Sequence, residues 1–221
     1  RHDGMVVARV ADGREVRADA ILMATGRRPV TSGLGLDAVG VATGRVGEVV
    51  VDAGLRTANP RIWAAGDVTG AAQFVYVAAA QGALAADNAI GKLGRTIDWT
   101  GLPKVTFTTP QIASVGLTEA RAKEAGHEVK IGRFPFIGNG KAIALGEPEG
   151  MIKTVFDAKT GELLGAHMVG AEVTEMIQGY TIARTLESTE AELMHTVFPH
   201  PTISEAMHEA VLDAYGRAIH F

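Results

Sequence analysis

The sequence predicts an α+β protein whose second half builds an antiparallel sheet flanked by helices. Three observations predict it. From Leu102 onward, short apolar runs recur between polar turns, as strands of one sheet do. Capped helical segments are interleaved with those runs and follow them. Before them, apolar runs at Ala20–Ala24 and Arg61–Ala65 and a long Ala-rich segment read as the strands and helix of an α/β arrangement.

Composition bounds the rest. The 221 residues suffice for one large or two small domains with a real core, and 47% apolar with 21% charged residues is ordinary for a globular chain. A net charge of -4 gives no sign of nucleic acid or an anionic membrane as partner, and no apolar run has transmembrane length. Cysteine is absent, so the chain carries no disulfide, no thiolate metal site and no redox pair of its own. With no signal peptide recognisable, a cytoplasmic setting is expected. The chain opens on Arg1 and enters strand-like Met5–Val10 almost at once, which suggests a fragment or processed product.

The first strand turns at Ala11-Asp12-Gly13-Arg14, an Asp-Gly signal, into Glu15–Ala18. Ala20–Ala24 then reads as a buried strand ending in Thr25-Gly26-Arg27-Arg28-Pro29. Gly33-Leu34-Gly35 through Gly40 has the wrong spacing for a dinucleotide fingerprint, and no strand leads into it. A short strand Arg61–Ala65 runs into Gly66-Asp67, and a helix follows from about Gln73 to Ile90. A carboxylate at a strand end before a helix N-terminus suits an α/β ligand site, where it accepts from ligand hydroxyls; a capping Asp would look the same.

In the second half, Val105–Thr108, Ala113–Gly116, Lys130–Phe136, Met151–Phe156 and Leu163–Val169 are the predicted strands. Thr118–Gly126 is a helix with a cap at its start and Gly at its end, and Asp157–Gly161 is a hairpin turn. Ala171–Leu186 is a helix with Val173, Met176, Ile177, Tyr180 and Ile182 on one apolar face. Thr189 with Glu192 forms a capping box for the next helix.

The sharpest chemistry lies in Phe198-Pro199-His200-Pro201-Thr202-Ile203-Ser204-Glu205. A His between two prolines cannot sit in a helix, so His200 is expected on a rigid loop, with a cis bond to Pro201. Thr202 or Ser204 is expected to cap the following helix and to put Glu205 in its first turn, within reach of the imidazole. An adjacent carboxylate fixes a ring tautomer and favours its protonated form, which suits an acid/base near neutral pH. A surface His whose neighbouring Glu only complements the helix dipole is the plain alternative. No metal site is expected: His195, His200, His208 and His220 lack ligand spacing, and His208-Glu209 lacks the second His of a metalloprotease helix.

Four motifs in order, Ala24-Thr25-Gly26-Arg27-Arg28-Pro29, Thr57 through Pro60-Arg61-Ile62-Trp63-Ala64-Ala65-Gly66-Asp67, Pro110–Glu119 and His200-Pro201-Thr202 through Glu205, cover nearly the whole chain. Together they resemble the C-terminal half of the FAD-dependent pyridine nucleotide-disulfide oxidoreductases. Gly138–Ala142 and Gly161–His167 are similar to the dihydrolipoamide dehydrogenase branch in particular. Gln73–Ala80 looks more like a mercuric reductase, with Tyr76 where the dehydrogenases usually carry His, but those reductases are expected to have Tyr at position 200 and a C-terminal Cys pair.

The resemblance implies three segments. Residues 1–30 would close the NAD-binding domain, 31–100 would complete the FAD-binding domain, and 101–221 would form the interface domain of a homodimer. It implies that Gly26 lies beside the nicotinamide cofactor and that Gly66-Asp67 holds the flavin ribityl chain. Gln73, Phe74, Val75 and Tyr76 would set backbone N–H groups near the flavin pyrimidine edge. His200 and Glu205 would be the acid/base dyad acting on a dihydrolipoyl dithiol in the neighbouring subunit's pocket. Met176 and Tyr180 at i, i+4 are more often core than contact surface, while the resemblance implies that their helix face meets its symmetry mate. The redox disulfide would lie N-terminal to all of this, outside the chain, so these residues alone are expected to be inactive. A lipoyl domain of a 2-oxo acid dehydrogenase complex is the implied macromolecular partner, and a purely dimerising fragment is the competing class.

Overall fold

A computed structural model describes residues 4–91 and 93–220. Arg1–Asp3 of the predicted first segment, Lys92 and Phe221 lie outside the described residues. The chain divides into two compact units between Ile97 and Asp98.

In the first unit, β1 (Val6–Arg9) pairs antiparallel with β2 (Glu15–Ala18), Val6 opposite Ala18. Gly13 takes a φ of 89° in the connecting turn, as the Asp-Gly signal requires. Two predicted strands do not form. Ala20–Ala24 is unpaired and exposed, with Leu22 at 87% and Met23 at 71%, and Arg61–Ala65 makes a single bridge, Trp63 to Arg56. A strand is defined by its neighbour's backbone, and no described residue supplies the ladder either segment needs. The predicted long helix is α1 (Val75–Gly91). Its Leu84 and Ala85 pack with Leu55 into a small core, against which Val51, Trp63 and Ile97 rest.

The second unit holds a five-stranded, wholly antiparallel sheet of β3 (Lys104–Thr106), β4 (Gln111–Gly116), β5 (Val129–Pro135), β6 (Gly150–Asp157) and β7 (Leu163–Gly170), in the order β3-β4-β7-β6-β5. Alternation along each strand separates its two faces. One face, with Ala113, Val115, Phe134, Ile152, Phe156, Ala166 and Met168, packs against α4 (Val173–Thr185) and α6 (Glu205–Asp213) in the main core. Burying each large side chain there contributes roughly 1.5–3 kcal/mol. The other face carries α2 (Glu119–Glu124), whose Ala122 lies over Val155 and Leu164. Between β5 and β6 lies α3 (Gly140–Leu145). Before α6 comes α5 (Glu190–His195), which starts on the predicted capping box: Thr189 accepts from Ala191 N at 3.3 Å and Glu192 accepts from Thr189 N at 2.7 Å.

One expectation holds and one is corrected here. Met176 and Tyr180 are core residues, the commoner meaning of their spacing: Met176 is 8% and Tyr180 1% exposed, and the Tyr180 hydroxyl donates to the Met207 carbonyl at 2.9 Å. Only Ile182 of the predicted apolar set points outward. Neither Thr202 nor Ser204 caps α6 with its side chain: the Thr202 hydroxyl donates to the Pro199 carbonyl, and Ser204 is already in helical geometry.

Where α6 crosses β5, the chain has Gly132. A Cβ there would collide with the Ala210 carbonyl, which also accepts from the Thr154 hydroxyl at 2.9 Å. Gly132→Ala is therefore expected to lower unfolding free energy by about 1–3 kcal/mol in urea titrations, as overpacking does; an unchanged midpoint would show that α6 does not approach β5 so closely.

At the hairpin turn, Asp157 accepts from His127 Nδ1 at 2.6 Å and from the Lys159 and Thr160 amides at 2.7 and 3.1 Å. The His127 bond and then the amides hold its carboxyl at about 2, below the ordinary 3.8. A depressed carboxyl stabilises the fold above its unfolded pKa, and that contribution is lost as pH falls from 3.8 towards about 2. Asp157→Asn is expected to flatten the fall of the thermal midpoint across that window. Parallel pH profiles for the variant and the parent would refute it.

Candidate active and cofactor sites

The His200 loop is built from the helix that follows it. Glu205, first residue of α6, uses both carboxylate oxygens: Oε2 accepts from Thr202 N at 2.8 Å and Oε1 from His200 Nδ1 at 2.9 Å. Helix capping thus runs from Glu205 back to the loop, the carboxylate half of a capping box without its hydroxyl half. The His200–Pro201 bond is cis, as expected, and a second cis bond joins Thr109 to Pro110. Asn139, 5% exposed, adds a tie the sequence reading missed: its Oδ1 caps α3 through Ala142 N at 2.9 Å, while its Nδ2 donates to the Thr202 carbonyl at 3.1 Å.

The electrostatics follow from these bonds. Partial burial pushes the Glu205 carboxyl up, but the Thr202 amide, His200 and His220 outweigh it, and the group stays below the ordinary carboxylate range. Because a carboxylate only accepts, the His200 proton must sit on Nδ1 when the ring is neutral. The lone pair on Nε2 is then free. With 79% of the His200 side chain exposed, that nitrogen faces an incoming acid. The other C-terminal histidines are engaged elsewhere: His195 Nδ1 with the Ala191 carbonyl, His208 Nε2 with the Met194 carbonyl, and His220 Nδ1 with Glu209.

In the first unit the residues after the unpaired Arg61–Ala65 segment meet those after Ala24. Gly66 has φ 81° and ψ -159°, a conformation open to glycine almost alone, and a Cβ there would press on Ala78 at 3.2 Å. Its amide donates to Gln81 Oε1 at 2.6 Å, fixing the loop on α1. Asp67 opens a short 3-10 turn, Asp67–Thr69, and its carboxylate is about half exposed. Gln73 and Phe74 lead into α1, whose first residues are Val75 and Tyr76, and Phe74 and Tyr76 stack with ring centroids 5.1 Å apart. Burial raises the pKa of the Tyr76 hydroxyl.

Arg27, which sequence reasoning passed over, joins these pieces. Its Nη1 donates to the Gln73 carbonyl at 2.8 Å and lies 3.6 Å from Asp67 Oδ2, so Gly26, Asp67 and Gln73 are drawn to one place. Gln81 was missed as well. It is 1% exposed, and its Nε2 has no partner among the described residues.

Two family models match the chain: pyridine nucleotide-disulphide oxidoreductase over residues 1–82, and the dimerisation domain of the same family over residues 102–211. The dihydrolipoyl dehydrogenase of Zymomonas mobilis is 54% identical over 214 residues, 96% of this chain and 46% of the relative. A mercuric reductase of Streptomyces lividans is 48% identical over 211 residues, covering 94% of this chain and 44% of its own length. Among solved structures, the HOCl-induced flavoprotein disulfide reductase RclA from Escherichia coli superposes with a TM-score of 0.87 at 30% identity, covering 95% of this chain and 48% of that one. The chain spans about half the length of the curated relatives it matches. With both family models in chain order over most of its residues and relatives near 50% identity, the chain belongs to the pyridine nucleotide-disulphide oxidoreductases.

Proposed function

We propose that these 221 residues form the C-terminal half of an FAD-dependent dihydrolipoamide dehydrogenase, and the observation that carries this reading is the His200–Glu205 pair at 2.9 Å with Nε2 open. His200 is the base: Nε2 takes the proton of a dihydrolipoyl thiol, Glu205 holds the ring and stabilises the cation formed, and the thiolate is released to attack a disulfide. That disulfide belongs outside this chain, which has no cysteine.

The residues present fit the two cofactors. Gly66 leaves backbone accessible beside Asp67, whose exposed carboxylate is an acceptor for ribityl hydroxyls. Gln73 and Phe74 lead into the N-terminus of α1, which Val75 and Tyr76 open, and amides at a helix N-terminus suit the electron-rich pyrimidine edge of a flavin. Gly26, with φ 121° and open space where a Cβ would stand, borders the nicotinamide of NAD. When bound, FAD would relay the electron pair from the dithiol to NAD+. We assign residues 1–30 to the NAD-binding domain, 31–100 to the FAD-binding domain and 101–221 to the interface domain.

A cytoplasmic homodimer served by a lipoyl domain of a 2-oxo acid dehydrogenase complex completes the reading. An apolar groove of about 460 Å³ lined by Met176, Tyr180, Ile182, Leu186, Leu193 and Phe198 supports a second copy as its cover. A mercuric reductase is the second reading, favoured by Tyr76 and the Streptomyces lividans relative. His200 and the absence of cysteine favour the dithiol enzyme.

In the full-length enzyme, His200→Ala is expected to lower dihydrolipoamide-dependent NAD+ reduction roughly 10²- to 10⁴-fold, the range for a lost general base. Glu205→Gln should lower it less and displace the acidic limb of the pH profile. Near-parent turnover of His200→Ala would exclude the role, and Hg(II)-dependent NADPH oxidation exceeding dihydrolipoamide turnover would select the second reading.

A further inference from the structure

The sheet face opposite α4 and α6 carries three cationic side chains in one row. Lys104 stands opposite Ser114, Ser114 opposite His167, His167 opposite Lys153, and Lys153 opposite Arg133, so one row crosses all five strands. Directly opposed residues share a face, and opposed like charges repel. The directly opposed fixed charges are Lys153 and Arg133, which repel unless an anion sits on them. The chain supplies that anion itself. Glu119 of α2 contacts Lys153 and Lys123, each at 2.7 Å, and Arg133 at 3.6 Å. One carboxylate is thus shared by three cations at the β5 end of the row.

At the β3 end the balance is different. Lys104 and Arg121, both exposed, make no ion pair with any described residue, and they line a cleft of about 530 Å³ with Ser114, Thr118, His167 and Trp99. Among the described residues no carboxylate lines the cleft. Asp98 is occupied by the Thr100 amide and hydroxyl, both at 2.8 Å, and feels Arg184, while Glu124 ends α2. The cleft therefore holds two unmatched cations with hydroxyls between them, in a chain whose net charge is -4. Neither cation is part of the flavin, nicotinamide or dithiol machinery proposed above.

We infer that this cleft is a binding site for a small anion of the phosphate class, held by Lys104 and Arg121 with the Ser114 and Thr118 hydroxyls. Phosphate chemistry fits the donor set, since a planar guanidinium, an ammonium and two hydroxyls lining one cleft can all donate to tetrahedral oxygens, two of them with charge assistance. The site is independent of the catalytic reading, and its failure leaves that reading intact.

Calorimetric titration of the full-length, FAD-loaded enzyme with inorganic pyrophosphate at low ionic strength tests it. Saturable binding is expected, weakened about tenfold in Arg121→Gln and likewise in Lys104→Gln, the size of one lost charge-assisted contact. Both side chains are exposed, so neither substitution threatens folding; circular dichroism confirms it. Lys159→Gln, in the hairpin turn, should bind like the parent. Absence of saturable binding overturns the inference, as does undiminished affinity in Arg121→Gln. Equal weakening by Lys159→Gln would also overturn it, by showing diffuse attraction to surface charge rather than a site.

Discussion

The close crossing of α6 over β5 at Gly132 is the constraint from which the candidate active site inherits its geometry. With no side chain at Gly132, the Ala210 carbonyl comes down to the sheet and accepts from the buried Thr154 hydroxyl, and one turn later Asp213 Oδ2 accepts from Arg133 N at 2.7 Å. Two polar ties and an apolar face of Ala206, Met207, Ala210 and Val211 leave the helix one seat. Glu205 is the first residue of that helix. Its carboxylate is therefore positioned by the core, and the His200 ring is positioned by the carboxylate.

The functional loop thus needs little order of its own. Its amide at Thr202 is held by Glu205, its carbonyl at Thr202 by Asn139, and its carbonyl at Pro199 by the Thr202 hydroxyl. These bonds satisfy backbone groups that would otherwise be left to water, and they confine an exposed imidazole to one orientation. An exposed ion pair alone contributes little to stability. The value of the His200–Glu205 bond lies in which nitrogen it leaves open. Asp157 and Glu119 follow the same pattern, each carboxylate serving several donors at once.

What could be read from the sequence follows physical range. The capping box at Thr189, the hairpin turn at Asp157 and the His200–Glu205 reach are settled within five residues, and all three stand in the structure. The five strands of the interface sheet were legible because their partners lie within the same 124 residues after Ile97. Ala20–Ala24 and Arg61–Ala65 have strand composition too, yet composition cannot say who provides the ladder. Met176 and Tyr180 showed an apolar stripe, but periodicity does not tell a core stripe from an interface stripe. Arg27, Asn139 and Gln81 were invisible for a related reason: each acts on a partner at least 15 residues away, 46 for Arg27 and Gln73, 63 for Asn139 and Thr202, 15 for Gln81 and Gly66. Arginine and amide side chains carry no local mark of such a reach.

The central claim, that a core-positioned carboxylate sets His200 with Nε2 open, is tested most directly by the ring's tautomer. Long-range ¹H–¹⁵N correlation spectra of the histidines, with His200 assigned by its absence in His200→Gln, report which nitrogen carries the proton when the ring is neutral. The account predicts the Nδ1–H form for His200, reverting towards the Nε2–H form common in free histidine when Glu205 becomes Gln. A neutral His200 already in the Nε2–H form in the parent chain would contradict it.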